Sequence, residues 1–405
     1  MGKIYDLAIV NARTRNTGSS QAAIGITQGR ISMIGPSLDG EAKKTIDASG
    51  GLVTESFVNG HLHLCKVYTL EMAGQSALGE YQQGGMGGAM TAIERAAEFK
   101  NTYDAKWILP NVRKACDLAL LYGNTHIRAF ADVDSKARLE GVKALLAARE
   151  EYKGRLDLQV VAFPQDGILR EEGALSYMKE AMSLGADVVG GIPWIELTRG
   201  DEERHVEEMF RLAAEFDKDV SMLLDDVGDA DERTLEMCVL KGLAQGWQGR
   251  VTAQHCRAMS LYNENYFRKI AALMRKAGVG LVADPHTGPL HARVRDLAAA
   301  GVNVALGQDD IADAYYPYGR CNMLEVAFLA SHLMWMTKFE DMELLYNMVT
   351  TSAARVLGLR GHVLEQGGTA DLVVLPAEDV YHAIWDHQPP SHVIRNGLEI
   401  TVGVN

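Results

Sequence analysis

The sequence predicts an α/β protein: a (β/α)8 barrel carrying a small β-sandwich built from both termini. Three observations lead there. Apolar, β-rich runs recur through the middle of the chain, each followed by a helix-compatible stretch, which is the pattern of a parallel sheet covered by helices. Both ends instead show short strands punctuated by glycine. A length of 405 residues accommodates a barrel of about 300 residues plus a small second unit. The expected division is residues 1–55 with 360–405 for the sandwich and 56–359 for the barrel.

Taken in order, the N-terminal unit is expected to contain strands at 7–10, 22–27, 30–34 and 45–47, separated by Gly25, Gly29, Gly35 and Gly40. The first barrel strand is read from the run VTESFVNGHLHL at 53–64. Seven more follow at 126–133, 158–164, 187–193, 219–224, 250–255, 278–284 and 303–310. Helical stretches such as 135–151 and 203–216 fall between them. Strands return at 370–375 and 392–402, the latter folded at Asn396-Gly397, a strong hairpin turn. A doubly wound sheet is the competing arrangement, and the count of eight strands favours the barrel.

Composition narrows the function. Lys and Arg total 40 against 53 for Asp and Glu, a net charge of −13, which repels polyanions and offers nucleic acid no broad footprint. The five cysteines (Cys65, Cys116, Cys238, Cys256, Cys321) are odd in number and form no CxxC pair. They suggest reduced thiols in a cytoplasmic protein rather than a disulfide framework. Neither a secretory leader nor an apolar run of about 18 residues is apparent, so no membrane contact is expected. Met1-Gly2 begins like an acylation signal, but the sixth residue is Asp6 rather than Ser or Thr.

His61 and His63 close the first barrel strand with one residue between them. The period of two along a strand turns both imidazoles to the same side, where their nitrogens can converge on one ion. The C-terminal strand end is also where barrel enzymes place their chemistry, which weighs against a chance HxH. Asp309 ends the last strand in GQDD and could complete a three-ligand site with a position open for water; capping a helix is the bland role for Asp309 or Asp310. His255, at the end of RVTAQH, could ligate the metal, polarise a substrate oxygen or stabilise attacking water, against the alternative of a hydrogen-bonded core histidine. After the strand at 219–224, Asp225 or Asp226 could carry a proton from water to a leaving nitrogen, or merely cap a helix. Gln165 offers a donor and an acceptor on one amide, suited to the edge of a lactam or cyclic amidine.

These segments together resemble the amidohydrolase superfamily, in particular the cytosine deaminases and the related N-isopropylammelide aminohydrolases of s-triazine breakdown. The resemblance covers nearly the whole chain and rests on FVNGHLHL (57–64), RAFADVDS (128–135), LQVVAFPQDGIL (158–169), LGADVVGGIP (184–193), RVTAQHCRAM (250–259), LGQDDIADAYYPYGRCNML (306–324), TTSAARVLGL (350–359) and ADLVVLPA (370–377). It implies a (β/α)8 barrel with a terminal sandwich. It also implies metal ligation by His61, His63 and Asp309, substrate binding by Gln165, water activation by His255, and an acid/base role for Asp226 in place of a glutamate. Lys66 matches a lysine of the triazine relatives. Asp310 and His286, at neighbouring strand ends, are further candidates for contact with substrate.

Three departures stand out. Leu223 occupies the place of a metal-ligating histidine on strand five, Phe130 that of a strand-two histidine, and Gln308 that of the histidine before the metal aspartate. A leucine cannot ligate, so the expected cofactor is one divalent ion (zinc, iron or manganese) on a weakened site, with His255 a candidate extra ligand. The cost is several kcal/mol, judged against about 10 to 16 kcal/mol for four-ligand zinc sites. The expected reaction is deamination of a small pyrimidine- or triazine-like cyclic amidine by metal-activated water. Its rival is a barrel with a degenerate metal site, acting as a metal-free hydrolase or a small-ligand binder. The expected partner is therefore a small heterocycle, and a homo-oligomer is compatible with the sequence.

Overall fold

A computed structural model describes residues 3–16, 21–73, 93, 94, 97 and 99–401. Gly2 and Val402, touched by the expectations above, lie outside the described residues. The N-terminal region contributes β1 (Lys3–Tyr5), β2 (Leu7–Ala12), β3 (Ala22–Thr27), β4 (Arg30–Gly35), β5 (Gly40–Ala42), β6 (Thr45–Asp47) and β7 (Leu52–Glu55). Eight parallel strands then follow: β8 (Phe57–Leu62), β9 (Asn124–Asp132), β10 (Asp157–Phe163), β11 (Val188–Gly191), β12 (Asp219–Leu224), β13 (Val251–His255), β14 (Gly280–Ala283) and β15 (Val304–Leu306). The chain ends with β16 (Leu372–Leu375), β17 (His392–Arg395) and β18 (Leu398–Glu399).

The two termini meet. One four-stranded sheet runs β4-β3-β2-β6 and the other β18-β17-β16-β7. Between them Ile9, Ile24 and Ile26 pack with Val53, Leu372 and Ile394, the layered burial that defines a sandwich. Asn396 and Gly397 turn the final hairpin with positive φ at both positions, as a two-residue turn matched to strand twist requires.

The expected first barrel strand at 53–64 is in fact two strands. Residues 52–55 pair with β16 in the sandwich and residues 57–62 with β9 in the barrel. The change of sheet falls between adjacent amides: Ser56 N–H donates to Asp371 O at 2.9 Å and Phe57 N–H to Gly123 O at 2.9 Å. Helix boundaries also moved. The stretch expected from 135 begins its helix at Glu140, because Asp134 holds the preceding turn by accepting from the amides of Lys136 and Ala137. The helix expected from 203 begins at Arg199, where Thr198 accepts from Asp201 N–H. Within the C-terminal region, helix Val380–Asp386 buries Val380, Ala383 and Ile384 in the same core as the barrel helices.

All eight barrel strands run in sequence order, and the first and last meet through Leu62 and Asp309. His63 N–H donates to Asp309 O at 2.8 Å and Asp309 N–H to His61 O at 2.9 Å. Gly307 permits this approach, since a Cβ there would lie 2.6 Å from His61 Cβ. The backbone that closes the barrel is thus the backbone of the candidate ligands. All five cysteines are buried and free. No helix among the described residues is long and apolar enough to cross a membrane.

Candidate active site

His61, His63, His255 and Asp309 are brought together from β8, β13 and the end of β15, their ligand atoms all within 4.8 Å of one another. The Nε2 atoms of His61, His63 and His255 face Asp309 Oδ1 at 3.1, 3.7 and 4.0 Å. Burial pushes the imidazole of His61 below its ordinary value, that of His63 well below, and that of His255 below. All three are therefore held as neutral ligands. The Nε2 atoms of His61 and His255 are buried with no hydrogen-bond partner. Three neutral imidazoles and one carboxylate suit a divalent cation. The site expected to be short of a ligand thus has four candidate donors, because His255 lies among them.

Backbone strain marks the same strand ends. Asp225, His255, Cys256 and Asp309 all have positive φ without being glycine, at about 1–3 kcal/mol each, a pattern that clusters at functional sites.

The cluster opens into a narrow cleft with an internal volume of about 50 Å³. Lys66, Gln165, Asp226 and Asp310 line it. Lys66 Nζ lies 4.1 Å from the centre of the Tyr315 ring and 3.6 Å from Asp310 Oδ1. Burial works against this ammonium, but Asp310 and Tyr315 hold its pKa well above the ordinary value. Burial and the neighbouring Asp309 push the Asp310 carboxyl well above its usual range, against the pull of Lys66. Gln165 Oε1 is buried with no protein partner.

Adjacent carboxylates divide in role. Asp226 faces the cleft, where burial raises its pKa and Arg257 opposes the rise. Asp225 turns away to accept from Thr234 Oγ1, Leu235 N–H and the Tyr262 hydroxyl. His286 is absent from the described lining: its Nε2 lies 3.1 Å from Gln308 O and its ring packs on Tyr316.

The three departures have clear surroundings. Leu223 joins Phe130, Phe163, Ile192 and Trp194 in an apolar cluster, and with Ile192 and Trp194 forms one wall of the cleft. Phe130 stacks against His61 at 4.2 Å between ring centres and lies 5.5 Å from His63. Gln308 faces a loop, its Oε1 accepting from Cys321 N–H at 3.2 Å. Sequence reasoning missed Arg257, which lines the cleft, and Asp284, 2.7 Å from His255 Nδ1. Both lie just beyond strand ends, the one signal that could have marked them.

A model of the amidohydrolase family matches residues 44–397. The chain is 31% identical over 402 residues to the N-isopropylammelide isopropyl amidohydrolase of Pseudomonas sp. (strain ADP), covering 98% of this chain and 97% of that protein. It is 26% identical to the pterin deaminase of Rhizobium rhizogenes, covering 95% and 88%. Among solved structures, 5-methylcytosine deaminase from Klebsiella pneumoniae liganded with 5-fluorocytosine superposes with a TM-score of 0.88 at 30% identity, covering 97% of each chain. The chain therefore belongs to the amidohydrolase family, in the branch that includes cytosine deaminase-like and N-isopropylammelide aminohydrolase-like proteins, and is a hydrolase of non-peptide C–N bonds.

Proposed function

We propose that this chain deaminates a small nitrogen heterocycle, a pyrimidine- or triazine-like cyclic amidine, with His61, His63 and Asp309 holding one divalent metal ion and His255 beside them. The observation that carries the reading is the convergence of three imidazole Nε2 atoms on Asp309 Oδ1 at the base of a cleft that also contains Asp226. A cation bound there supplies activation of water for attack on the ring carbon. Asp226 accepts the proton released by the attacking water and returns it to the departing nitrogen. Gln165 presents an amide to the ring edge, Asp310 a carboxyl group, and Lys66 a fixed positive charge. The apolar wall of Leu223, Ile192 and Trp194 receives the ring face or an alkyl substituent. Relatives that act on ammelide, pterin and cytosine rings support the substrate class. The same reading takes residues 1–55 with 360–405 as the sandwich unit, 56–359 as the catalytic barrel, and the cytoplasm as its location.

The test combines metal analysis of the purified protein with amine-release assays on pyrimidines, pterins and aminotriazines. Near-stoichiometric zinc, iron or manganese is expected, together with turnover that a chelator abolishes and metal restores. A metal-free preparation with full activity would sink the metal-dependent mechanism. Failure to hydrolyse any ring in the panel would sink the substrate class.

A further inference from the structure

Arg257 begins the short turn Arg257–Leu261 directly after β13. Two successive non-glycine residues with positive φ, His255 and Cys256, reverse the chain at the strand end, and the Arg257 side chain lines the cleft. It is only 4% exposed. Its two terminal nitrogens reach different catalytic elements. Nη1 donates to Asp226 Oδ1 at 2.7 Å. Nη2 donates to Asp284 Oδ2 at 2.9 Å and to Thr287 Oγ1 at 2.7 Å, and stands 3.5 Å from Asp309 Oδ2. Asp284 Oδ2 in turn lies 2.7 Å from His255 Nδ1, and Thr287 Oγ1 lies 2.7 Å from Asp309 Oδ2. One planar guanidinium therefore ties β12, β13 and β14 to the end of β15, a geometry that a point charge on a lysine cannot reproduce.

We infer that Arg257, backed by Asp284, is the positioning residue of this site, locking the Asp226 carboxylate in register with His255 and Asp309. The inference rests on the proposed proton-transfer role of Asp226. Arg257 itself neither gains nor loses a proton; it fixes the carboxylate that does. Asp284 stands in the matching place for His255, its Oδ2 2.7 Å from Nδ1 while Nε2 faces Asp309.

Arg257→Ala, Arg257→Lys and Asp284→Asn test this in the metal-loaded enzyme. For Arg257→Ala, kcat is expected to fall about 10²-fold, the effect of misplacing a reacting group by roughly 1 Å. KM should change less than about threefold, because uniform binding is untouched, and metal per chain should stay constant. Added guanidinium should restore activity to Arg257→Ala. Arg257→Lys should remain impaired, and Asp284→Asn, which keeps shape, should show a smaller loss in kcat. A kcat within threefold of wild type for Arg257→Ala, or a loss that follows metal loss in parallel, overturns the inference. Crystal structures of wild type and Arg257→Ala decide the point independently of turnover: displacement of the Asp226 carboxylate supports it, and an unmoved carboxylate overturns it. If wild type hydrolyses no ring in the panel, the proposed function fails on its own, and the crystallographic comparison still settles the role of Arg257.

Discussion

Asp225 and Asp226 adjoin in the sequence, and burial raises both carboxyls, so only their partners separate them. Asp226→Asn is expected to lower turnover by about 10² to 10⁴, the usual contribution of general acid/base help, with metal content unchanged. Asp225→Asn should do the reverse, leaving kcat near wild type while costing about 1–3 kcal/mol through the network with Tyr262, Thr234 and Leu235. Urea midpoints and kcat measured on both variants check the division; a large kcat loss confined to Asp225→Asn would reverse it. Leu223 allows a second contrast. Because His255 already stands in the cluster, Leu223→His adds a donor to a set of four and removes part of an apolar wall. Metal affinity should rise about tenfold while turnover stays level or falls. Competition with a chromophoric chelator reads the first quantity, and unchanged affinity would mean that position 223 does not reach the ion.

At the scale of elements, Gly307 shows how the fold enforces the site. With a Cβ only 2.6 Å from His61 Cβ, Gly307→Ala must push β15 away from β8, and the expected result is loss of bound metal together with about 1–3 kcal/mol of stability, as overpacking costs. Retained metal at wild-type affinity would show that the barrel seam yields without moving His61. The loop after β10 has a comparable support. Glu196 accepts from the amides of Ile168, Leu169 and Arg170 and pairs with His205 at 2.7 Å, steadying the segment that follows Gln165. Elements with a continuous pattern were legible in the sequence: strands 22–27 and 219–224 fall where alternation or an apolar run placed them. The break at Ser56 was not, because 53–64 reads as one β-rich run and the change of sheet is decided by the partners Asp371 and Gly123. His61, His63, Asp309 and Asp226 were legible because strand ends have a position in the pattern. Arg257 was not, since a side chain that folds back from a turn leaves no periodic trace.

For the whole molecule, the decisive contact is the polar junction beneath the barrel. Arg395, on sandwich strand β17, donates from Nη1 to both oxygens of Asp371 at 2.6 and 2.7 Å and from Nη2 to Asp157 of barrel strand β10 at 2.6 Å. Burial opposes ionisation of Asp371, but His362 and Arg395 hold its carboxyl below the usual carboxylate range. That contribution is present above the ordinary carboxylate pKa and is lost only as the pH falls through the lower folded value. Arg395→Met leaves Asp371 buried without its charge partner and is expected to cost about 3–5 kcal/mol. Replacing both residues, Arg395→Met with Asp371→Leu, should recover most of that loss, because desolvation of two charges offsets much of their attraction. Metal content and kcat at 25 °C should stay near wild type in both variants, since neither residue lines the cleft. Urea denaturation across the four-member mutant cycle measures the coupling directly. If the single and double variants are equally destabilised, the junction is held by packing of the sheets, and the ion pair adds nothing to the union of sandwich and barrel.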